Sequence, residues 1–277
     1  MTTDTDRFKF GENWKRFLEV LNEERIAEAE LSLRKHLGCE DLSGKTFLDI
    51  GSGSGVFSLA ARRLGARVHS FDYDKQSVEC TQELKNRFYA EDTDWTIEQG
   101  SVLDRKFMTQ LGKFDVCYSW GVLHHTGSMW QALYNAHDAA KEDGLMYIAI
   151  YNDEGIISAV WKIVKKTYCH SGLGRIAMTA IFYPAFFFGG LLIDIVKLRN
   201  PAKRYSEHRK YRGMSLIHDW KDWLGGYPYQ VASTEEITSF FENLGHLSLV
   251  TEPTSHGFGN NQFVFKRTSN GRKPDTD

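Results

Sequence analysis

Between residues 12 and 37 apolar side chains recur at three- and four-residue steps: Trp14, Phe17, Leu18, Leu21, Ile26, Ala29, Leu33 and Leu37. That spacing predicts a helix with one buried face, and Gly38 supplies its stop. From 46 to 152 the pattern changes to short apolar runs separated by amphipathic stretches. The runs at 46–50, 67–71, 95–98, 115–119 and 145–151 predict strands, with helices between them at 55–64, 75–90 and 129–141. Strands alternating with helices imply βαβ units, a parallel sheet and right-handed crossovers. Residues 153–232 break that rhythm and read as an insertion. Regular structure resumes at Ser233, where the STEE tetrad has capping-box spacing and opens a helix to about Leu244. Two strands near 247–251 and 261–266 follow, joined by a loop rich in Gly, Ser and Asn, so a hairpin is expected to finish the sheet. Residues 268–277 are polar and expected to fray.

Composition narrows the class. With 277 residues, 42% hydrophobic and 25% charged, the chain is not a disordered, collagen-like or multi-span membrane protein. One large α/β domain, or one domain with an insertion, suits this length. Cys39, Cys80, Cys117 and Cys169 are dispersed, with no CxxC pair and no Cys/His cluster at zinc spacing, so no metal site is expected. The opening MTTDTDRFKF lacks the apolar run of a signal peptide, and a reduced, cytoplasmic protein is expected.

The strongest local chemistry is FLDIGSGSG at 47–55, a buried strand running into a glycine loop that opens a helix. Glycines let the backbone approach a ligand, and a helix N-terminus attracts negative charge. A dinucleotide fingerprint needs a small sixth residue, where this chain has Val56. Asp49, two residues before the first glycine, would repel a pyrophosphate and suits a ligand with an ammonium group. Next, VHSFDY at 68–73 places Asp72 at a strand end, where a carboxylate can accept from both ribose hydroxyls, with Tyr73 beside it to pack on a purine. EQGSVLD at 98–104 and FDVCYSWGVLHHTG at 114–127 complete the set.

In this order and spacing the four segments resemble the class I S-adenosylmethionine-dependent methyltransferases, nearest to the ubiquinone and menaquinone biosynthesis group. The resemblance covers about residues 45–152, more weakly the last helix and strands. It implies a Rossmann-like α/β fold with a seven-stranded mixed sheet of order 3-2-1-4-5-7-6, strand 7 antiparallel. The implied domains are an N-terminal helical lid at 1–40, a methyltransferase domain at 41–152 and 233–268, and a helical insertion or cap at 153–232. It also assigns roles. Asp49, Gly51, Ser52, Gly53 and Gly55 would hold the aminoacyl end of S-adenosylmethionine; Asp72 the ribose; Tyr73 the adenine. Gly100, Ser101 and Val102 match the adenine-edge loop, although many relatives carry Asp at the position of Ser101. Ser119, Trp120 and Gly121 would line the methionine part, and Leu123 would wall the site. Lys141 to Gly144 match the family's turn before strand 5, without its usual proline and second glycine.

A sulfonium methyl is already activated, so the protein need mainly align the acceptor and exclude water. For a hydroxyl acceptor a base helps, and His124 and His125 lie just past the fourth strand at the ligand-binding edge. A catalytic and a scaffold role are both open for them, with His125 preferred as base. His218, followed by Asp219, is a second base candidate. Tyr151 and Asn152 end the fifth strand and Tyr229 lies where the insertion returns, which makes them substrate-contact candidates. Trp14, within FKFGENW at 8–14, is a lid candidate, with core packing as the competing role.

The insertion changes the reading of charge. Residues 156–213 hold eleven Lys and Arg against Asp194 and Glu207, a block of +9, so the rest of the chain carries −11 of the total −2. Inside it, IAMTAIFYPAFFFGGLLI at 176–193 is 18 residues without a charge, interrupted by Pro184 and Gly189–Gly190. A membrane span, a membrane-surface segment, and a cap or homo-oligomer interface walling an apolar acceptor pocket are the three readings. The expected activity is methyl transfer to a small or lipid-like, apolar or aromatic acceptor, with oxygen favoured. An RNA methyltransferase using the basic block and a non-enzymatic cofactor-binding protein on the same fold are the alternatives.

Overall fold

The structure is a computed structural model that describes residues 8, 10–201, 216–245, 247–251 and 259–268. Its centre is built by strands β1 (Thr46–Ile50), β2 (Arg67–Asp72), β3 (Trp95–Gln99), β4 (Phe114–Trp120) and β5 (Ala140–Tyr151), paired in parallel. β6 (Leu247–Thr251) and β7 (Asn260–Arg267) close the edge, with β7 antiparallel to both β5 and β6. The seven strands run in the order 3-2-1-4-5-7-6 that the resemblance implies. β1 and β4 are buried on both faces, so the polar residues within them that face the interior, Asp49 and Ser119, are each held by a hydrogen bond.

Helices cover both faces. α1 (Gly11–Glu19), α2 (Glu23–Leu37), α3 (Val56–Arg63) and α4 (Lys75–Phe88) lie with one core that contains Leu33, Leu59, Leu84 and Trp95. α5 (Arg105–Leu111), α6 (Met129–Asp138) and a later helix, Thr234–Leu244, lie with the other, around Leu133, Ile148, Phe241 and Phe263. That later helix starts in the expected capping box: the Ser233 hydroxyl accepts from Glu236 N, and the Glu236 carboxylate accepts from Ser233 N. The insertion forms α7 (Ile156–His170), α8 (Gly172–Val196) and α9 (Leu216–Gly225), so the later helix is α10. These three share a small core of Val164, Tyr168 and Leu224.

The chain departs from the predicted elements in two places. The single helix read over 12–37 is two, because Asn22 leaves helical geometry and accepts from Arg25 N as the N-cap of α2. The apolar period runs through the break since both pieces bury one side. β5 begins at Ala140 rather than near 145, with a register irregularity against β4 that admits the Lys141–Gly144 segment into the strand.

Candidate active site

In this strand order the chain turns outward in opposite directions from β1 and β4, and a crevice opens beyond their carboxyl ends. A cavity of about 360 Å³ occupies it. Of the residues singled out from sequence, Asp49, Gly51, Ser52, Gly53, Asp72, Tyr73, Gly100, Ser101, Val102, Trp120, Gly121, His125 and Trp14 line it.

The floor is the glycine loop. Gly51 has φ +80° and a side chain there would meet Val122 Cγ1 at 2.4 Å, so only glycine lets the loop pass under residue 122. Gly53 (φ +56°) carries Trp14 on it, where an added Cβ would stand 2.9 Å from the indole. Trp14 thus stands over the loop and at the same time packs against the core beneath α1–α4. Its segment is strapped on both sides of the cavity: Gly11 N donates to Asp74 Oδ2 (3.0 Å) and Phe8 N to Tyr227 O (2.9 Å).

Two carboxylates give this end its charge. Asp49 is 2% exposed, and burial pushes its pKa up to about 7, against a 2.5 Å hydrogen bond from the Ser58 hydroxyl that favours the carboxylate. Nearby Tyr118 lines the same cavity and keeps a buried hydroxyl without a hydrogen-bond partner. Asp72 is pushed up to about 6, again by burial, while Asp74 N (2.8 Å) and Gly53 N (3.0 Å) donate to its oxygens. A buried and a half-buried carboxylate and an orphaned hydroxyl around a glycine cradle are a site short of donors and of positive charge. They fit a ligand that brings an ammonium group and hydroxyls. In the loop after β3 the Ser101 hydroxyl accepts from Leu103 N (3.2 Å), which holds the turn.

The other end is aromatic. Phe8, Phe10 and Tyr227 line it around His125, and among the described residues no Lys or Arg lines the cavity. His125 Nδ1 lies 2.7 Å from the Pro228 carbonyl, which can only accept, so Nδ1 carries the hydrogen and Nε2 keeps the lone pair in the neutral ring. Its ring is 5.3 Å from Phe10 and 5.5 Å from Tyr151.

Other expected site residues fall behind the cavity wall. Leu123 is fully buried in the core and does not wall the site, because the short helical turn Leu123–His125 aims it inward. Ser119 is buried and donates to Ile50 O (2.9 Å), tying β4 to β1. Gly55 packs against Thr81 at the start of α3. His124 is fully buried, its Nδ1 accepts from Tyr151 N (3.4 Å), and burial holds its pKa well below the ordinary histidine value. It is therefore a neutral prop for His125, with ring centroids 4.4 Å apart. Tyr151 packs against both histidines, tilted on His124 and edge-on to His125, and Tyr229 stands 5.5 Å beyond it with Lys165 Nζ 5.2 Å from its ring. Asn152 is buried in a bridge to Ala232. His218 sits on α9, but its side chain lies outside the described residues.

Sequence reasoning missed Phe10, Phe17, Tyr118 and Tyr227. The aromatic excess at 8–14 pointed at the first of these. Tyr227 had no local signal, since it reaches the cavity only through the return of the insertion.

A family model described as a methyltransferase domain matches residues 21–245. A ubiquinone biosynthesis O-methyltransferase of Pelagibacter ubique is 29% identical over 199 residues, which span 71% of this chain and 74% of that protein. A second, of Methylobacterium, is 28% identical over 142 residues, 50% of this chain and 55% of its own length, so the chain spans only about half of that relative. Among solved structures, magnesium protoporphyrin IX methyltransferase of Synechocystis with bound SAH superposes with a TM-score of 0.53 at 13% identity. That alignment covers 93% of this chain and 95% of the other, and at this identity it is a likeness of fold.

Proposed function

Because the chain belongs to the class I S-adenosylmethionine-dependent methyltransferases, matched over residues 21–245, we propose that it methylates a hydroxyl of a small apolar or aromatic acceptor held against its aromatic wall. Bound S-adenosylmethionine supplies a methyl group already activated by its sulfonium centre. Asp49 and Tyr118 would meet its aminoacyl end, and Asp72 would accept from the ribose hydroxyls alongside Gly53 N. Trp14 closes the glycine loop from above and excludes water from it. Phe8, Phe10, Trp120 and Tyr227 offer flat apolar contacts to the acceptor.

The observation that carries the oxygen assignment is the fixed tautomer of His125. Its Nε2 lone pair would accept the acceptor's hydroxyl proton as that oxygen bonds the methyl carbon and the carbon–sulfur bond breaks, its electron pair going to the sulfur of the departing S-adenosylhomocysteine. The imidazolium would keep its Nδ1–H on the Pro228 carbonyl. The Pelagibacter and Methylobacterium relatives, which are O-methyltransferases by name, support the same choice. A wall without Lys or Arg among the described residues favours an uncharged acceptor over an RNA phosphate backbone.

The test uses S-adenosylmethionine labelled in its methyl group with paired phenol, catechol and aniline probes. Methyl transfer to oxygen is expected, and His125→Ala is expected to lower kcat by about 10²–10⁴-fold with unchanged S-adenosylhomocysteine affinity. Transfer to nitrogen alone, or wild-type turnover in His125→Ala, refutes the proposal.

A further inference from the structure

Among the described residues, most of the exposed large apolar side chains lie on two helices of the insertion, α7 and α8. α8 is 25 residues long, its most apolar 18-residue window has a mean hydropathy of 2.0, and 6% of that window is buried. Its packing is one-sided. Met178, Phe182, Tyr183 and Phe186, spaced as one helical face, pack with Trp161, Val164 and Tyr168 of α7, and Phe186 meets Trp220 of α9 at 5.7 Å. The opposite face presents Leu173, Ile176, Ile181, Phe188, Leu192 and Ile195 to solvent. α7 adds a second exposed stripe, Ile156, Val160 and Ile163, at i, i+4 and i+7.

Charge distinguishes the occupants of such a face. Lys162, Lys166, Arg175, Lys197 and Arg199 are exposed on and beside these helices. Asp194, the one acid within α7 and α8, is 3% exposed. We propose that the α7–α8 hairpin seats the protein on an anionic lipid surface, with α8 lying in the interface and not crossing it. Basic side chains bordering an apolar helix face match acidic headgroups above acyl chains. A second copy of the same face would bring cationic borders together. A span would strip Phe182 and Phe186 from Trp161 and Trp220, and so dismantle the small core that holds the insertion to the body. Phe8 packs in that small core and also lines the cavity, so the core beneath the seated hairpin adjoins the aromatic end of the site. An acceptor carried in the lipid would have a short path to it; that corollary rests on the acceptor reading above, whereas docking does not.

Flotation of the full chain with mixed phosphatidylglycerol–phosphatidylcholine vesicles tests the proposal. The protein is expected to float with them, and to partition at least about tenfold less onto phosphatidylcholine alone or in high salt. Phe188→Asp with Leu192→Asp, both on the exposed face, should lower partition at least about tenfold while S-adenosylhomocysteine affinity by calorimetry stays at the wild-type value. Should that variant misfold, Lys162→Glu with Lys166→Glu should remove the dependence on anionic lipid without touching the apolar face. Wild-type protein that stays at the bottom with anionic vesicles overturns the proposal, as does either folded variant floating like wild type. A wild-type dimer that never floats and that Phe188→Asp converts to monomer would identify a second copy as the occupant instead.

Discussion

Asp49→Asn separates what the buried carboxylate costs from what it binds. In the ligand-free protein, burial raises the Asp49 pKa from 3.8 to about 7, a difference of roughly three pH units. At about 1.4 kcal/mol per unit, keeping it ionised near pH 8 costs the fold roughly 4 kcal/mol. The sign follows from proton binding: an acid with a raised folded pKa holds more protons folded than unfolded. Its contribution to stability is therefore fully present below about 3.8 and is lost as pH rises through about 7. Asn is isosteric and carries no charge, so Asp49→Asn should be more stable than wild type near pH 8 by up to roughly 4 kcal/mol, with the gap closing near pH 4. Binding runs the other way. An ammonium group recruits the carboxylate, so wild-type affinity for S-adenosylhomocysteine should fall about elevenfold from its high-pH limit by pH 6 and about twofold by pH 7. Asp72, pushed up to about 6, steepens the fall below that pH. In Asp49→Asn binding should be at least about tenfold weaker near pH 8, with the transition at 7 gone. Urea unfolding near pH 5, 7 and 8, with calorimetric titrations over the same range, measures both. Flat wild-type affinity between pH 6 and 8, together with no stability gain in the variant at pH 8, would refute the reasoning.

Two further outcomes follow from the same floor. Asp72→Ala should weaken S-adenosylhomocysteine binding at least about tenfold in calorimetry, since two charge-assisted hydrogen bonds would be lost along with the acceptor for Gly53 N; wild-type affinity would remove the ribose assignment. Gly51→Ala should destabilise the protein by roughly 1–3 kcal/mol in urea, from its positive φ and from overlap with Val122. Val122→Ala in that background should restore only the overlap share, so full recovery would show that the backbone conformation costs nothing.

Much of this molecule is written in local sequence. The strand–loop–helix at 46–63, the acid ending β2 and the capping box at Ser233 each depend on neighbours a few residues away, and such signals survive in the linear chain. So did the order of the sheet, because the run of motifs resembles one family whose topology it shares. The break at Asn22 was also locally encoded, but a continuous apolar period masked it.

The rest was decided by contacts between distant segments. His124 and His125 are adjacent and chemically identical; what separates them is that one is sealed behind Tyr151 while the other reaches the cavity and finds the Pro228 carbonyl 103 positions away. Leu123 was expected at the wall, and a single helical turn rotated it into the core. The aromatic wall draws Phe10 and Tyr227 from opposite ends of the chain, and no pattern within either segment encodes their meeting. The same holds for α8. Its sequence is apolar on every side, which is compatible with burial, dimerisation or lipid, and only packing decides which face meets the protein and which is left open. Periodicity and motif order determine which elements form and which cofactor chemistry they can serve. Which side chains share a cavity is a property of the folded surface, because it depends on distances that the linear order of residues does not contain.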